Sequence, residues 1–182
     1  MAEEKSKRRA IITPPACAMF VYVWEPRESM NEGQPAQYSI SLLFKKTEDI
    51  SALRRAAKAA AVEKFGDKAR GLKDPFRDVD ELETPVPGYK GGVFITAKSK
   101  TRPGIVDADL QAITDPMDFY PGCICRASVT AWPFDKKGSK GVTFLLNNIQ
   151  KVKDGTRLDG KKSAEEEFDA IGDGDDDNDP LA

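Results

Sequence analysis

The sequence predicts a mainly β protein in which five strands close a small barrel and one α-helix caps it. Runs rich in β-branched and aromatic residues cover residues 16–24, 38–44, 93–99, 123–134 and 142–152. Gly- and Pro-rich segments separate these runs, and a short basic turn typical of a hairpin joins the last two. Since 40% of the 182 residues are hydrophobic, the chain can bury a core. These observations favour a five-stranded OB-like barrel with long loops, although such barrels usually place the helix one strand later.

The first strand is apolar on both faces. Residues 16–24 contain no charge, and Glu25-Pro26 ends the run. Strict alternation predicts an aromatic and an aliphatic face, made of Phe20, Tyr22 and Trp24 and of Met19, Val21 and Val23. Such a strand is either central in the sheet or has one face shaped for a ligand.

One amphipathic helix is predicted between the second and third strands. Its apolar positions recur at helical spacing, as Ile50, Leu53, Ala57, Ala61 and Phe65. Thr47-Glu48-Asp49 predicts the N-cap and an acidic first turn, and Gly66 predicts the end. We expect this helix to close one end of the core. The basic residues expected on its solvent side are Arg54, Arg55 and Lys58.

The charge is divided between a basic body and an acidic end. The chain has 28 Lys and Arg residues against 30 Asp and Glu residues, for a net charge of −2. Residues 163–182 contain nine of the acids and no base, so residues 1–162 carry 28 bases and 21 acids, a net of +7. We predict a flexible arm over residues 1–15, a folded domain over residues 16–160 and a disordered acidic tail over residues 161–182.

Basic residues interleaved with aromatic rings are typical of proteins that bind single-stranded nucleic acid. Cations follow the phosphates, and flat rings accept unstacked bases at about 1–3 kcal/mol per base. In the third and fourth strands both kinds of residue fall on one alternation, so we expect them on a common wall of the barrel. The candidate DNA-binding residues are Trp132, Phe134, Phe94, Trp24, Tyr22, Lys98, Lys100, Arg102, Arg126, Lys136, Lys137 and Lys140.

Several other classes of function are less well supported. The chain has no His, which excludes Ser-His and Cys-His nucleophile pairs, and its three Cys are one ligand short of a structural zinc site. We therefore predict no cofactor. The longest apolar run, residues 16–24, is far short of the ~20 residues that cross a bilayer, and three Cys fit a reducing cytoplasmic location.

Two alternatives to a DNA-binding protein stay open. In a metal-dependent nuclease, loop carboxylates would hold Mg²⁺. The two candidate clusters are Asp107, Asp109, Asp115 and Asp118, and Asp78, Asp80 and Glu81. In an interaction adaptor, the acidic tail would bind protein partners without any affinity of the chain for DNA.

A small set of segments is distinctive. They are Tyr120-Pro121-Gly122-Cys123 with the strand that follows to Phe134, Lys140-Gly141-Val142, and Asn147-Asn148-Ile149-Gln150-Lys151-Val152-Lys153-Asp154-Gly155. Residues 38–44 and Thr101-Arg102-Pro103 complete the set. Together these segments resemble a family of small phage single-stranded-DNA-binding proteins, over about residues 16–160 and in the character of the tail.

The resemblance implies an OB-fold body that coats single-stranded DNA without sequence preference during phage replication, recombination or repair. It implies a monomer or homodimer, with binding that can be cooperative along the DNA. In similar proteins an acidic tail shields the DNA groove and contacts replication proteins such as a polymerase, helicase or recombinase. The matching tail residues here are Phe168, Asp175, Asp176, Asp177, Asp179 and Leu181. The chain lacks a terminal aromatic residue, so Leu181 or Phe168 would take its place.

Overall fold

The computed structural model, which describes residues 8–29, 33–68, 70–136, 138–160, 162 and 164–171, contains eight strands and two α-helices in those ranges. The strands are β1 (Ile11–Ile12), β2 (Ala16–Arg27), β3 (Gln37–Phe44), β4 (Arg77–Asp78), β5 (Val93–Ser99), β6 (Gly104–Val106), β7 (Ile124–Lys136) and β8 (Ser139–Lys153). The helices are α1 (Ser51–Phe65) and the single-turn α2 (Ala164–Glu167), with 3-10 turns at Gly66–Lys68 and Val79–Glu81. Neither α-helix is long and apolar enough to cross a membrane.

The five long strands close a barrel. Around the ring the order is β7-β2-β3-β5-β8, and β8 pairs with β7 again. Neighbours in the ring are antiparallel except β5 and β8, which run parallel. These are the five predicted strands, and the predicted OB-like barrel with one capping helix is confirmed. The short strands β1, β4 and β6, which no sequence pattern predicted, pair with β7, β5 and β8.

The barrel interior receives alternate side chains of the long strands. In β7, Cys125, Ala127, Val129 and Ala131 are buried, as alternation predicted, whereas Arg126 is exposed. All three cysteines of the chain, Cys17, Cys123 and Cys125, are buried free thiols. Burial raises the pKa of each thiol, so they behave as small apolar residues.

Helix α1 closes one end of the barrel, as predicted. Leu53, Ala57 and Ala60 are buried in the main core. The helix begins at Ser51 and not near Thr47, because the Asp49 carboxylate accepts a hydrogen bond of 3.0 Å from the Ser51 N–H and residues 47–49 precede the helix. The predicted N-cap and acidic first turn are therefore wrong.

Strand β2 contains a bulge that breaks its predicted alternation. Met19 lies opposite Ser41 and Tyr22 lies opposite Ser39, so β2 has one residue more than β3 between these pairs. Met19 consequently packs outside the barrel, whereas Val23 packs inside it. The prediction that Met19 and Val23 share a face is wrong. Side chains alternate between the two faces of a strand, so one inserted residue moves those that follow it to the opposite face.

A second apolar cluster covers part of the outer surface of the wall formed by β2, β3 and β5. It joins side chains of these strands to the long loop at residues 67–92. Its buried members are Cys17, Met19, Leu43 and Phe94 on the strands and Val79, Val86 and Tyr89 on the loop. Because the loop covers one part of this wall, the rest of the wall is left open to solvent.

The chain before β2 lies along β7. Ile11 and Ile12 form β1, which pairs with β7. Thr13 then exchanges two hydrogen bonds with Ala127, from Thr13 N–H to the Ala127 oxygen (2.9 Å) and from Ala127 N–H to Thr13 Oγ1 (3.0 Å). The predicted flexible arm over residues 1–15 is therefore wrong for residues 8–15, and residues 1–7 lie outside the described residues.

The segments that carry the family resemblance close the barrel near the end of β8. The Tyr120 hydroxyl donates a hydrogen bond of 2.8 Å to Asp154 Oδ1, and the Lys151 ammonium lies 2.7 Å from the same oxygen. Burial raises the pKa of Tyr120 to about 12, and the hydrogen bonds from Lys151 and Tyr120 lower the pKa of Asp154. The Asp154 carboxylate therefore stabilises the fold at pH values above the pKa that Asp154 has in the unfolded chain. This contribution is lost as the pH falls through the lower pKa that Asp154 has in the folded protein.

Two glycines allow this closure. A Cβ atom on Gly122 would overlap the carbonyl oxygen of Thr156, and one on Gly155 would overlap the carbonyl oxygen of Gly122. Gly122 also has a φ of +108°, which residues with side chains rarely adopt. The close approach of two backbones explains why both positions are glycine.

We predict that Gly122→Ala lowers the free energy of unfolding by at least about 2 kcal/mol, because the new methyl group meets the backbone. Gly160→Ala is the matched control, since its φ is +75° but no atom lies within 4 Å of the added Cβ. The control is expected to lose only about 1 kcal/mol from its left-handed backbone. Urea unfolding compares the two variants, and equal losses would contradict the close approach.

Candidate nucleic-acid interface

An open cleft of about 520 Å³ crosses the part of the β2-β3-β5 wall that the 67–92 loop leaves uncovered. Outward side chains of three neighbouring strands form its floor, and residues near the end of β2 and in β4 form its rim. The floor includes Phe20, Tyr22, Ser39, Ser41, Thr96 and Lys98, and the rim includes Arg27 and Arg77. We call this surface the β2-β3-β5 cleft.

Phe20 presents an aromatic ring to the cleft from the bulge in β2. The residue is 45% exposed, although Phe is usually buried. Its φ is +47°, in the left-handed region, which costs a residue with a side chain about 1–2 kcal/mol. Strain of this kind persists where the surrounding structure imposes it, and it is concentrated at binding sites. The bulge therefore directs a flat apolar surface into the cleft at a cost in stability.

Tyr22 supplies a second ring, with cations beside it. The Arg27 guanidinium lies 5.1 Å from the centre of the half-buried Tyr22 ring. Lys98 is exposed on the cleft floor. The hydroxyls of Ser41 and Thr96 are hydrogen-bonded to each other at 2.9 Å on the same floor. Rings, cations and hydroxyls thus lie together on adjoining strands.

Phe94 occupies the boundary between the cleft and the second apolar cluster. It lines the cleft but is only 4% exposed, so the expectation of a freely accessible ring is wrong. The Arg77 guanidinium lies 5.6 Å from its ring centre and 3.6 Å from the Glu81 carboxylate. Because Val79 and its neighbours cover most of the Phe94 ring, the ring forms the edge of the cleft next to the second apolar cluster.

Trp132 and Phe134 lie on a different wall. Both are half-buried on β7, and β8 separates β7 from β5 in the ring. The predicted common wall for the third and fourth strands is therefore wrong, because the strands are not neighbours. The Arg8 guanidinium covers the Trp132 ring at 4.4 Å, and Arg8 also lies 3.5 Å from the Glu63 carboxylate of α1.

Trp24 is also engaged within the protein. It is half-buried, packs against the main core and donates a hydrogen bond of 3.2 Å from Nε1 to the Phe119 carbonyl. The guanidinium of Arg102, an exposed residue, lies 5.3 Å from its ring centre. Trp24 and Arg102 do not line the β2-β3-β5 cleft.

The other predicted cations are dispersed. Arg126 donates a hydrogen bond of 2.7 Å to Gln150 Oε1 on β8. Lys140 pairs with Asp135 at 3.9 Å in the β7-β8 hairpin. Lys100 and Lys136 are exposed, and Lys137 lies outside the described residues. Of the twelve predicted residues, the β2-β3-β5 cleft unites Tyr22, Phe94 and Lys98.

The described part of the acidic tail is open to solvent. Phe168 is 73% exposed and Ile171 is 99% exposed, just after α2. Asp175, Asp176, Asp177, Asp179 and Leu181 lie outside the described residues.

The loop carboxylates of the nuclease alternative form turns. Asp107 Oδ1 accepts hydrogen bonds from the N–H groups of Asp109 and Gln111, and Asp115 Oδ1 accepts one from Met117. Asp80 accepts from the Gly91 N–H. Within the described ranges, no three Asp, Glu or Cys side chains converge as a metal site would require.

Sequence reasoning missed Phe20, Arg27 and Arg77 as site residues. Alternation places Phe20 on the correct side of β2 but gives no sign of the bulge that exposes it. Arg27 follows Glu25-Pro26, which was expected to end the strand, and Arg77 belongs to a short strand in the unpredicted 67–92 loop. The signal available was the uninterrupted aromatic character of one face of residues 20–24.

We predict that the free energy of unfolding of Phe20→Gly is about 1 kcal/mol larger than that of Phe20→Ala, because glycine adopts a positive φ without strain and alanine does not. Both variants lose the same ring, so the comparison isolates the backbone. The exposed pair Val62→Gly and Val62→Ala on α1 is the control, where alanine is expected to be the more stable by about 1 kcal/mol. Chemical denaturation measures all four, and a more stable Phe20→Ala would contradict the left-handed bulge.

Comparisons with known proteins agree with this architecture. The sequence profile of a family described as "Enterobacter phage Enc34, ssDNA-binding protein" matches residues 9–181. "Putative protein p50" of Acyrthosiphon pisum secondary endosymbiont phage 1 is 29% identical over 166 residues, which cover 84% of this chain and 88% of the relative.

Two solved structures share the fold. The single-stranded DNA-binding protein from bacteriophage Enc34 in complex with ssDNA has a TM-score of 0.65 at 21% identity, covering 82% of this chain and 89% of that one. The single-stranded DNA-binding protein gp2.5 encoded by bacteriophage T7 has a TM-score of 0.59 at 16% identity, covering 86% and 98%. Since the family profile spans nearly the whole chain, the resemblance seen in its segments is confirmed, and the chain belongs to the phage single-stranded-DNA-binding proteins typified by that of Enterobacter phage Enc34.

Proposed function

We propose that this protein coats single-stranded DNA without sequence preference and that the DNA lies in the β2-β3-β5 cleft. The observation that carries the proposal is the exposed, conformationally strained Phe20 ring beside Tyr22, Arg27 and Lys98 in one open cleft. Membership of the phage family supports single-stranded DNA as the ligand, because the family's relative from Enc34 is described in complex with it.

The cleft has the groups that an unpaired strand requires. Every base has a flat π-face, so the Phe20 and Tyr22 rings accept any base and confer no sequence preference. Lys98, Arg27 and Arg77 meet the phosphates, and the hydroxyls of Ser41 and Thr96 lie between cations and rings. Duplex DNA keeps its bases stacked and paired, so it cannot use the rings and is expected to bind less tightly.

The remaining predicted DNA contacts extend the same proposal beyond the cleft. Lys100 continues the cationic line beyond Lys98 at the end of β5, and the β7-β8 hairpin offers Lys136, Lys137 and Lys140. Trp132 and Phe134 take bases only after Arg8 leaves the Trp132 ring. Trp24 and Arg102 are paired with each other and with the core, so we expect them to contribute least.

We predict that Phe20→Ala and Tyr22→Ala each weaken binding to oligo(dT) by about 10- to 100-fold, the equivalent of one stacked base. Val62→Ala, which removes an exposed apolar side chain from α1, is the control and should bind normally. Fluorescence anisotropy measures the affinities. Full affinity in both cleft variants, together with a loss in Trp132→Ala, would move the site to β7.

The salt dependence of the same titrations tests the cations. Each lost phosphate contact should reduce the log–log slope of affinity against salt by about 0.7. Lys98→Ala is expected to show this reduction, whereas Lys64→Ala on the exposed side of α1 is not. If the labelled strand were degraded with Mg²⁺ and protected by a chelator, the protein would instead be a nuclease.

The acidic tail is proposed to act on the same cleft and on partners. Its nine acids are tethered to a body with a net charge of +7, so attachment keeps their local concentration near the cleft high. The tail then competes with phosphates and, when DNA displaces it, becomes available to replication or recombination proteins of the infected cell's cytoplasm. Phe168 and, beyond the described residues, Leu181 are the apolar anchors for such partners.

We predict that truncation after Lys162 tightens DNA binding, most strongly at low salt, because nine competing acids are removed. A full-length variant with the order of tail residues 163–182 scrambled keeps the charge and is expected to bind as the native protein does. An affinity that truncation leaves unchanged across a salt series would contradict shielding by the tail.

A further inference from the structure

A second recess, open to solvent, lies beside α1 and is distinct from the β2-β3-β5 cleft. It is bounded by α1 and residues 72–76, and we call it the α1 groove. Its cationic rim is formed by Arg54, Lys58 and Lys73, and its apolar floor includes Ala57, Ala61 and Phe76. The one acid that lines it, Asp74, is engaged by the Phe76 N–H at 2.8 Å.

The floor of the α1 groove is held rigidly. The Phe76 ring packs edge-on against the fully buried Phe144 ring, with centroids 5.8 Å apart, and the Arg54 guanidinium lies 4.6 Å from the Phe76 ring centre. Lys73 is fixed by backbone hydrogen bonds to β8, including 2.9 Å from its N–H to the Lys140 carbonyl. A preformed apolar recess with a cationic rim suits an acidic segment that carries an apolar side chain.

The chain itself presents such a segment at residues 107–118, which we call the acidic loop. It contains four Asp and no base, and it exposes Leu110 (71%) and Met117 (58%). Leu110 has a φ of +66°, held by the hydrogen bonds that Asp107 Oδ1 accepts from Asp109 and Gln111. The loop therefore holds the Leu110 side chain in solvent on a segment that carries four carboxylates.

The acidic loop cannot reach the α1 groove of its own chain. Its ends are tied to the far end of β8, where Gln150 Nε2 donates to the Asp107 carbonyl (3.3 Å) and Lys151 Nζ to the Asp118 carbonyl (2.6 Å). Val142, which lines the groove, lies eight residues earlier on β8, about 26 Å along the strand. The two complementary surfaces therefore face toward opposite ends of the barrel.

We infer that the acidic loop of one copy docks into the α1 groove of a second copy. Leu110 enters the apolar floor, and the loop carboxylates meet Arg54, Lys58 and Lys73. Because the two surfaces differ and lie at opposite ends, the contact is heterologous and repeats from copy to copy as an open row. The contact itself does not depend on DNA. Its role in aligning neighbouring copies along a strand rests on the proposed function.

Sedimentation velocity of the full-length protein without DNA, over a concentration series at low salt, tests the contact. The native protein is expected to form species that grow beyond a dimer with concentration and shrink with added salt. Leu110→Gly removes the apolar side chain without strain, and Lys58→Glu reverses one charge of the rim. Each should lower the association constant at least tenfold, whereas Val62→Ala on α1, which does not line the groove, should not.

A mixture of the two variants separates this contact from others. Leu110→Gly keeps a normal groove and Lys58→Glu keeps a normal loop, so together they should form dimers that grow no further. Dimers of native protein that never grow, or association unaffected by both substitutions, would overturn the inference. Association abolished by truncation after Lys162 would assign the groove to the acidic tail instead. Full DNA affinity in the cleft variants, with association intact, would contradict the proposed function and remove only the role of this contact on DNA.

Discussion

The wall formed by β2, β3 and β5 is apolar on its inner face and partly apolar on its outer face, and the arrangement of the molecule follows from that constraint. One face must be buried in the barrel, where Ile40, Leu42 and Ile95 are fully enclosed. On the other face, the apolar part at Cys17, Met19, Leu43 and Phe94 is covered by the 67–92 loop. What the loop does not cover becomes the β2-β3-β5 cleft, whose position is thus determined by where the loop stops.

The bulge in β2 decides what that cleft contains. A regular strand would keep Met19 and Val21 on one face and would leave no residue in a left-handed conformation. The additional residue instead lets Met19 join the outer cluster and Val23 the core, and it leaves Phe20 exposed at a positive φ. The strain is retained because strand pairing on both sides of the bulge is fixed by β3. The left-handed conformation at Phe20 thus lowers the stability of the fold and places an exposed ring in the cleft.

The segments by which the family is recognised serve mainly to close the barrel. Tyr120, Lys151 and Asp154 form one hydrogen-bonded group, and the glycines at 122 and 155 let two backbones meet. Such constraints tolerate few substitutions, because a buried polar group left unpaired or a methyl group placed against a carbonyl is costly. The proposed DNA contacts, by contrast, need only flat rings and positive charge, which many residues at many positions can supply. Most of the segments that carry the family likeness therefore lie outside the proposed DNA cleft, whereas residues 38–44 contribute Ser39 and Ser41 to its floor.

The sequence alone determined the five long strands, the helix between the second and third of them, its end at Gly66 and the division into a basic body and an acidic end, because each depends on local spacing or on composition. It also determined the inward residues of β7, whose alternation is uninterrupted. Only the tertiary structure decided which outward residues meet. Tyr22, Phe94 and Lys98 come together because β2, β3 and β5 are neighbours, whereas Trp132 is on another wall and lies under Arg8. Packing between distant segments sets the strand order, the position of the bulge and the course of the long loop. Local periodicity therefore does not predict them.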